Sequence, residues 1–295
     1  MKNKGLIIFL ITTLSVISIL LIMFMIGLLN NHSWFNSFLF NYTVSNELVI
    51  DETYDDNFNK INIEASAADI YIKESNDEFV KAIIYGDKDK TIVDTKNSEL
   101  KIELKEKRCI GFCFNYKISK IEIYLPKDYN DEINITNKLG DIKIDEFLNA
   151  NINVSEDCGD VTIKSGNIVN VNNKYGDITL NNAQTANIDA KAGDVKIGIV
   201  NDVTVNNDFG DIKIDKVNNY LNLKNNCGDI KIDNIDLHKN SYIIDDLGDI
   251  EIGNTNEIYI DAKVSLGDVK VNNNYNKSDI TLKIDNSCGD IKVNN

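Results

Sequence analysis

Aligned on a recurring Gly-Asp pair, the second half of the chain repeats one pattern of apolar and polar positions nine times. The pair begins at Gly140, Gly159, Gly176, Gly193, Gly210, Gly228, Gly248, Gly267 and Gly289, at intervals of 19, 17, 17, 17, 18, 20, 19 and 22 residues. Two and four residues after the Gly, every copy carries Ile, Leu or Val, from Ile142 and Ile144 to Ile291 and Val293. Five before it the column is apolar throughout, and seven before it only Ser241 breaks the rule. The residue directly before the Gly is apolar in all nine, from Leu139 through Tyr175 and Phe209 to Cys288. Period-two alternation marks short strands with one buried face, and no window carries the 3.6-residue stripe of a helix. The pattern therefore predicts two strands meeting at a Gly corner in each copy, with all five apolar columns turned inward.

One such copy cannot bury its apolar face alone, whereas stacking nine of them buries a continuous core. The fold class predicted is all-β, a parallel β-helix (β-solenoid) of 17–22-residue Gly-Asp rungs, with nine regular rungs over 139–295. At about 4.8 Å per rung the column is roughly 40 Å long. The Gly is expected either to supply positive φ or to avoid a clash with the next rung. A degenerate copy, Ile61–Ile72, has Ala68 in place of Gly. Alternating runs at Val80–Ile84, Leu100–Leu104 and Ile121–Leu125 follow it, so 61–138 reads as a less regular opening section that Pro126 helps to close.

The amino terminus reads differently. Lys2 and Lys4 precede Leu6–Leu29, a stretch of 24 residues without a charge, long enough for the roughly 30 Å hydrocarbon core. Asn30-Asn31-His32 follows in place of a small-residue cleavage site, which predicts an uncleaved transmembrane anchor. The positive-inside bias puts residues 1–5 in the cytoplasm and the rest outside the cell membrane. Residues 30–60 are then a stalk leading into the solenoid, with Trp34, Phe35, Phe38, Phe40 and Tyr42 suited to the outer interface.

Charge narrows the partners. A net charge of −15 excludes nucleic acid and anionic lipid surfaces, which are bound through clustered Lys and Arg. The Asp after each Gly makes a column, Asp141 through Asp290. Such a column suggests either a row of Ca²⁺ sites or carboxylates accepting hydrogen bonds from backbone N–H groups of their own turns. Lys143, Lys196, Lys213, Lys231, Lys270 and Lys292 stand two residues on, which favours the second reading, with no metal and no cofactor. The only His are His32 and His238 and the only Arg is Arg108, and the acidic positions follow the repeat, so catalysis is not expected. Cys158, Cys227 and Cys288 share the column before the Gly and read as packed small hydrophobes. Cys109 and Cys113 bracket a Gly in an aromatic loop, where a small disulfide and free thiols both fit.

Length variation collects in the connection after each rung, which runs 7, 5, 5, 5, 6, 8, 7 and 10 residues. Insertions in a solenoid gather at one corner, often the binding side. The last three connections bring Leu237, His238, Tyr259 and Tyr275 to or beside that edge as a possible ligand-contact corner, against the alternative of neutral drift in loop length.

The Ile-x-Ile-x-x-x-x-Ala-Asp-Ile-x-Ile opening, the Ile-x-Ile-x-Leu-Pro run ending at Pro126 and the Gly-Asp-Ile-x-Ile repeats resemble the β-strand-repeat domain-of-unknown-function family of putative adhesins. The resemblance covers Ile61 to the carboxyl terminus. It implies a right-handed parallel β-helix on a bacterial envelope and is closest in kind to membrane-anchored members linked to envelope stress. No catalytic residues carry over. The function expected is a non-catalytic, membrane-anchored, extracytoplasmic adhesin, binding or scaffold module for an unknown envelope component or protein. The alternative is a self-associating structural protein that polymerises through its solenoid ends.

Overall fold

A computed structural model of the protein describes residues 42–105, 116–272 and 274–294. The chain divides into two compact units. Of the first, Met1–Thr43 with Cys109–Lys117, the described residues are extended stretches at 42–43 and 116–117. The Leu6–Leu29 span, the aromatic run Trp34–Phe40 and both Cys109 and Cys113 lie outside the described residues. Among the described residues no helix is long and apolar enough to cross a membrane.

The second unit is a parallel β-solenoid. Its layers stack in register on the columns read from the sequence: Val161 pairs Ile178, Ile178 pairs Val195 and Val195 pairs Ile212, while Val154, Val171, Ile188, Val205 and Leu223 align on the other strand. Side chains two and four after the Gly, and five and seven before it, point inward and form one core with scarcely any exposed member except in the end layer. Ser241 is buried at its place in that core because its hydroxyl is satisfied: it accepts from the Leu221 N–H at 3.1 Å and donates to the Lys239 carbonyl at 3.0 Å.

In the middle of the stack the connections are not loops. Strands of 13 to 15 residues, such as Val161–Tyr175 and Ile178–Ala192, run from one Gly corner to the next without interruption. Phe147, Ala183, Val200, Val217 and Ile235, seven residues after the Gly, supply a further inward column there. Five-residue connections are short because they are pleated, hydrogen-bonded strand.

Spatial order departs from chain order at both ends. The Ile61–Ile72 copy pairs the Gly140 layer on one side, Ile61 with Ile133 and Ile70 with Ile142. On its other side lies a layer formed by Glu99–Leu104 and Tyr116–Pro126, later in sequence but further out. Antiparallel strands Leu48–Tyr54, Val80–Tyr85 and Thr91–Lys96 close that end. At the opposite end the last copy does not stack on the one before it. Thr281–Cys288 and Ile291–Val293 insert between the Gly248 and Gly267 layers, pairing with Ser241–Leu247 and Ile250–Thr255 on one side and with Tyr259–Leu266 and Val269–Val271 on the other. The nine rungs therefore do not run in sequence order. The stack holds eleven layers, at about 4.8 Å each a column of roughly 50 Å.

Both reasons for the corner Gly hold. Gly176 has φ +137°, and a Cβ there would overlap the Gly159 carbonyl oxygen of the preceding layer. No side chain fits, since the carbonyl belongs to the backbone and cannot swing away.

Candidate functional site

The corner turns one predicted core column outward. Continued alternation from positions seven and five before the Gly puts positions three and one before it on the inner face. Position three is indeed buried in eight copies of nine; it holds Asn137, Glu156, Asn173, Asn207, Asn225, Asp245 and Asn286, with Ala190 and the half-buried Val264 in the other two. The amides work there. Asn173 donates to the Gly159 and Gly176 carbonyls at 3.0 Å each, and Asn207 and Asn225 donate to Gly210 and Gly228 at 2.9 and 2.7 Å. The chain then bends at the Gly, and the residue directly before it turns outward, exposed in five copies and half-buried at Leu139, Cys158, Ala192 and Cys227. Tyr175 is 61 % exposed, Phe209 62 %, Leu247 55 % and Leu266 70 %. Inward packing of this column, expected from its apolar composition, is thus corrected: it is a surface ridge.

The ridge is continuous and rigidly based. Each corner Gly N–H except that of Gly267 in the end layer donates to the carbonyl of the ridge residue one layer on, for example Gly159 to Tyr175 at 2.9 Å and Gly193 to Phe209 at 3.0 Å. Its spatial order follows the exchanged layers, because Gly248 donates to Cys288 and Gly289 to Leu266. Read along the stack, large side chains alternate with small ones: Leu139, Tyr175, Phe209, Leu247 and Leu266 stand in every second layer, with Cys158, Ala192, Cys227 and Cys288 between them. In chain order the alternation fails at Leu247 and Leu266; the exchange of layers restores it.

Beside the ridge runs the Asp column. Each carboxylate except that of Asp268 in the end layer accepts the backbone N–H of the Asp one layer on, from Asp69 with Asp141 at 3.1 Å, through Asp177 with Asp194 and Asp194 with Asp211 at 2.9 Å, to Asp249 with Asp290 at 2.7 Å and Asp290 with Asp268 at 2.9 Å. The bonds cross between layers, in place of the expected bonds within each turn. Carboxylates stay exposed along this column and are fixed by a charge-assisted bond through one oxygen. Burial pushes the Asp69 carboxyl above its ordinary value, against the lowering effect of the Asp141 N–H. The ion pairs of the neighbouring Lys column run along that column: Lys231 and Lys292 reach Glu251 at 3.2 and 3.1 Å. Among the described residues no cluster of three or more potential metal ligands occurs.

The other flank of the ridge carries both signs. Lys174 pairs with Asp157 at 2.6 Å and Lys191 with Asp208 at 3.0 Å, each across one layer. Behind the ridge two acids replace Asn. Burial raises the Glu156 carboxyl to about 7, although it accepts from the Asp157 and Cys158 N–H groups at 3.1 Å. Burial, with the charges of Asp246 and Asp229, raises Asp245 to about 7.

The carboxyl-terminal corner brings its residues together only in part. Leu237 is fully buried and belongs to the core, so it drops out of the contact set. His238 is exposed with Nε2 3.6 Å from the Asp236 carboxylate, Tyr259 is half-buried at the start of the end layer, and Tyr275 is exposed on the last connection. Two Asn side chains tie these connections down. Asn256 accepts from the Leu237 N–H and donates to its carbonyl, both at 2.9 Å, and Asn274 does the same for Ile260 at 2.8 Å. Cys158, Cys227 and Cys288 are free thiols on the ridge rather than core residues; Cys288 is exposed, and burial raises the Cys158 thiol. The layer exchange puts Cys227 and Cys288 two layers apart, about 10 Å, still too far for a disulfide.

Elsewhere on the surface, a shallow groove of about 410 Å³ is lined by an amide ladder in which Asn153, Asn170 and Asn187 each donate to the Asn one layer back at 2.7, 2.7 and 2.8 Å. The ladder satisfies itself.

No curated protein matches the chain. Similar solved structures include a putative adhesin from Bacteroides fragilis, 18% identical over 85% of this chain and 99% of that one, with a TM-score of 0.40. A putative lipid binding protein from Parabacteroides distasonis is 16% identical over 85% and 99%, with a TM-score of 0.44. A putative cell adhesion protein from Clostridium sporogenes is 12% identical over 83% and 98%, with a TM-score of 0.23. The model of the Toastrack DUF4097 family matches residues 58–295, which hold the whole of the stack, and the chain belongs to that family.

Proposed function

We propose that the protein is a non-catalytic, adhesin-like binding module held at the outer face of a bacterial membrane, with the corner ridge as its contact surface. One observation carries this reading: an apolar row of nine residues runs along the stack, with Tyr175, Phe209, Leu247, Leu266 and Cys288 exposed and Leu139, Cys158, Ala192 and Cys227 half-buried. Contiguous apolar surface on a soluble domain marks an interaction site, whereas scattered single residues do not. Anchoring rests on Leu6–Leu29 and the positive-inside bias, and a role in envelope stress rests on the family resemblance. The test combines Tyr175→Ser, Phe209→Ser and Leu247→Ser. Since these side chains leave the core intact, the melting temperature should hold while retention on isolated envelope material falls at least tenfold. Unchanged retention would remove the ridge from the function.

A second reading, association through a solenoid end, is favoured by the Gly267 layer. Its Val269 is 42 % exposed, whereas the equivalent Ile291 one layer in is 1 % exposed. The other end is closed by antiparallel strands, so the geometry suits a two-fold pair of end layers rather than a polymer. Light scattering on the full-length chain in mild detergent, with and without Val269→Lys, checks it: a dimer abolished by the substitution supports the reading, and a monomer in both discards it.

A further inference from the structure

We infer that the ridge is a docking rail for an amphipathic helix that carries apolar side chains at heptad spacing and cations along one flank; this deepens, and rests on, the binding-module reading. Spacing is the first argument. Large ridge residues recur every second layer, about 9.6 Å apart. Seven residues of α-helix rise about 10.5 Å, so a helix lying along the ridge stays within about an ångström of that repeat at each step. An extended strand repeats its side chains every two residues, roughly 6.7 Å, and meets the ridge out of phase.

Shape follows from the same order. Between Tyr175, Phe209 and Leu247 stand Ala192 and Cys227, whose small side chains leave gaps flanked by larger ones. A helix inserts its knobs into such gaps, as ridges pack into grooves between helices. From Leu139 to Leu266 the ridge spans eight layer steps, about 38 Å, enough for a helix of roughly 26 residues.

Charge fixes the chemistry of the partner. One flank of the ridge is the Asp column, whose exposed carboxylates cannot turn away because each is held by the next layer's N–H. The opposite flank is largely neutralised by its own Lys–Asp pairs. A docked helix therefore meets fixed negative charge on one side, and Lys or Arg on that side complements it. The chain's net charge of −15 steers such a cation in at low salt.

The probe is a 28-residue synthetic peptide with Leu at every seventh residue and its neighbouring apolar position, and Lys along one flank. Two controls keep its length: one spaces the same Leu residues five apart, and one replaces Lys by Glu. Titrated against the full-length chain in mild detergent, the heptad Lys peptide should bind at least tenfold more tightly than either control. Tyr175→Ser with Phe209→Ser should cost at least tenfold. Asp177→Asn, Asp194→Asn and Asp211→Asn together should weaken binding and flatten its salt dependence, with folding retained because the Asn oxygen still accepts the interlayer N–H. Equal binding of the five-spaced peptide, or no binding of the heptad peptide, overturns the inference. A dimer lost in the ridge variant would assign the ridge to a second copy and overturn it too. If the ridge variants lose envelope retention while the peptide does not bind, the helix falls and the binding module stands; if they keep retention, both fall.

Discussion

At the scale of single residues, the informative positions are the ones where a charged side chain occupies a neutral column. Asp245 sits among Asn225 and Asn286, whose amides donate to the Gly228 and Gly248 carbonyls, and its buried carboxylate has nothing comparable to donate until it is protonated. Its folded-state value of about 7 lies above the ordinary 3.8, as that of Glu156 lies above 4.5. The folded state thus holds these protons more tightly than the unfolded chain does. Their stabilisation is present in full below about pH 4 and is lost as pH rises through 7. Asp245→Asn should stabilise the protein at pH 8, by about 1–3 kcal/mol for relief of a buried unsatisfied group, and leave it little changed at pH 4. Melting curves at the two pH values check this; a variant less stable at pH 8 would show that the carboxylate has a partner the Asn lacks.

At the scale of the elements, four columns and the Gly corner were legible because burial and period-two alternation coincide there. The ridge was not. Composition favours Tyr175 or Phe209 for the interior over Asn173 or Asn207, and only the Gly carbonyls, which need donors, reverse that choice. Asn in five of nine places three residues before the Gly was the available signal, since a repeated amide on the inner parity implies a repeated acceptor. Layer order was illegible for a different reason: repeats with the same columns pair equally well with one another. The connections after Ile252 and Val271 carry the chain past a layer and back, yet the first, at 7 residues, is shorter than the 8-residue connection after Ile232, which skips none. Such an exchange has a consequence for exchange rates. Thr281–Cys288 lies between two strands and Tyr259–Leu266 against one, although the former is nearer the carboxyl terminus. Amide hydrogen exchange should be slower in Thr281–Cys288, because an interior strand opens only when its neighbours separate. Faster exchange there than in Tyr259–Leu266 would contradict the inserted layer.

For the whole molecule, the question is how a column of stacked carboxylates is held together in a chain with a net charge of −15. Nine Gly-Asp copies plus Asp69 place ten carboxylates in consecutive layers, about 4.8 Å apart. Unscreened like charges at that spacing oppose stacking, each neighbouring pair by on the order of 1 kcal/mol in a water-like dielectric. Two features offset this here. Every carboxylate but Asp268 of the end layer accepts a backbone N–H at 2.7–3.1 Å, and cations such as Lys143 lie close enough to Asp69 to favour its charged form. A bound divalent ion is the competing solution, and the two differ in their response to salt and chelator. Held by N–H groups alone, the exposed column should gain from simple screening, since the Debye length falls from tens of ångströms to a few as salt rises. The melting temperature should therefore climb by several degrees between about 20 mM and 500 mM NaCl and be unmoved by EDTA at either concentration. Calorimetry on the full-length chain reads both at once. A fall of about ten degrees in EDTA, restored by Ca²⁺ and not by Na⁺, would mean that the column is an ion ladder and that the N–H bonds only position its ligands.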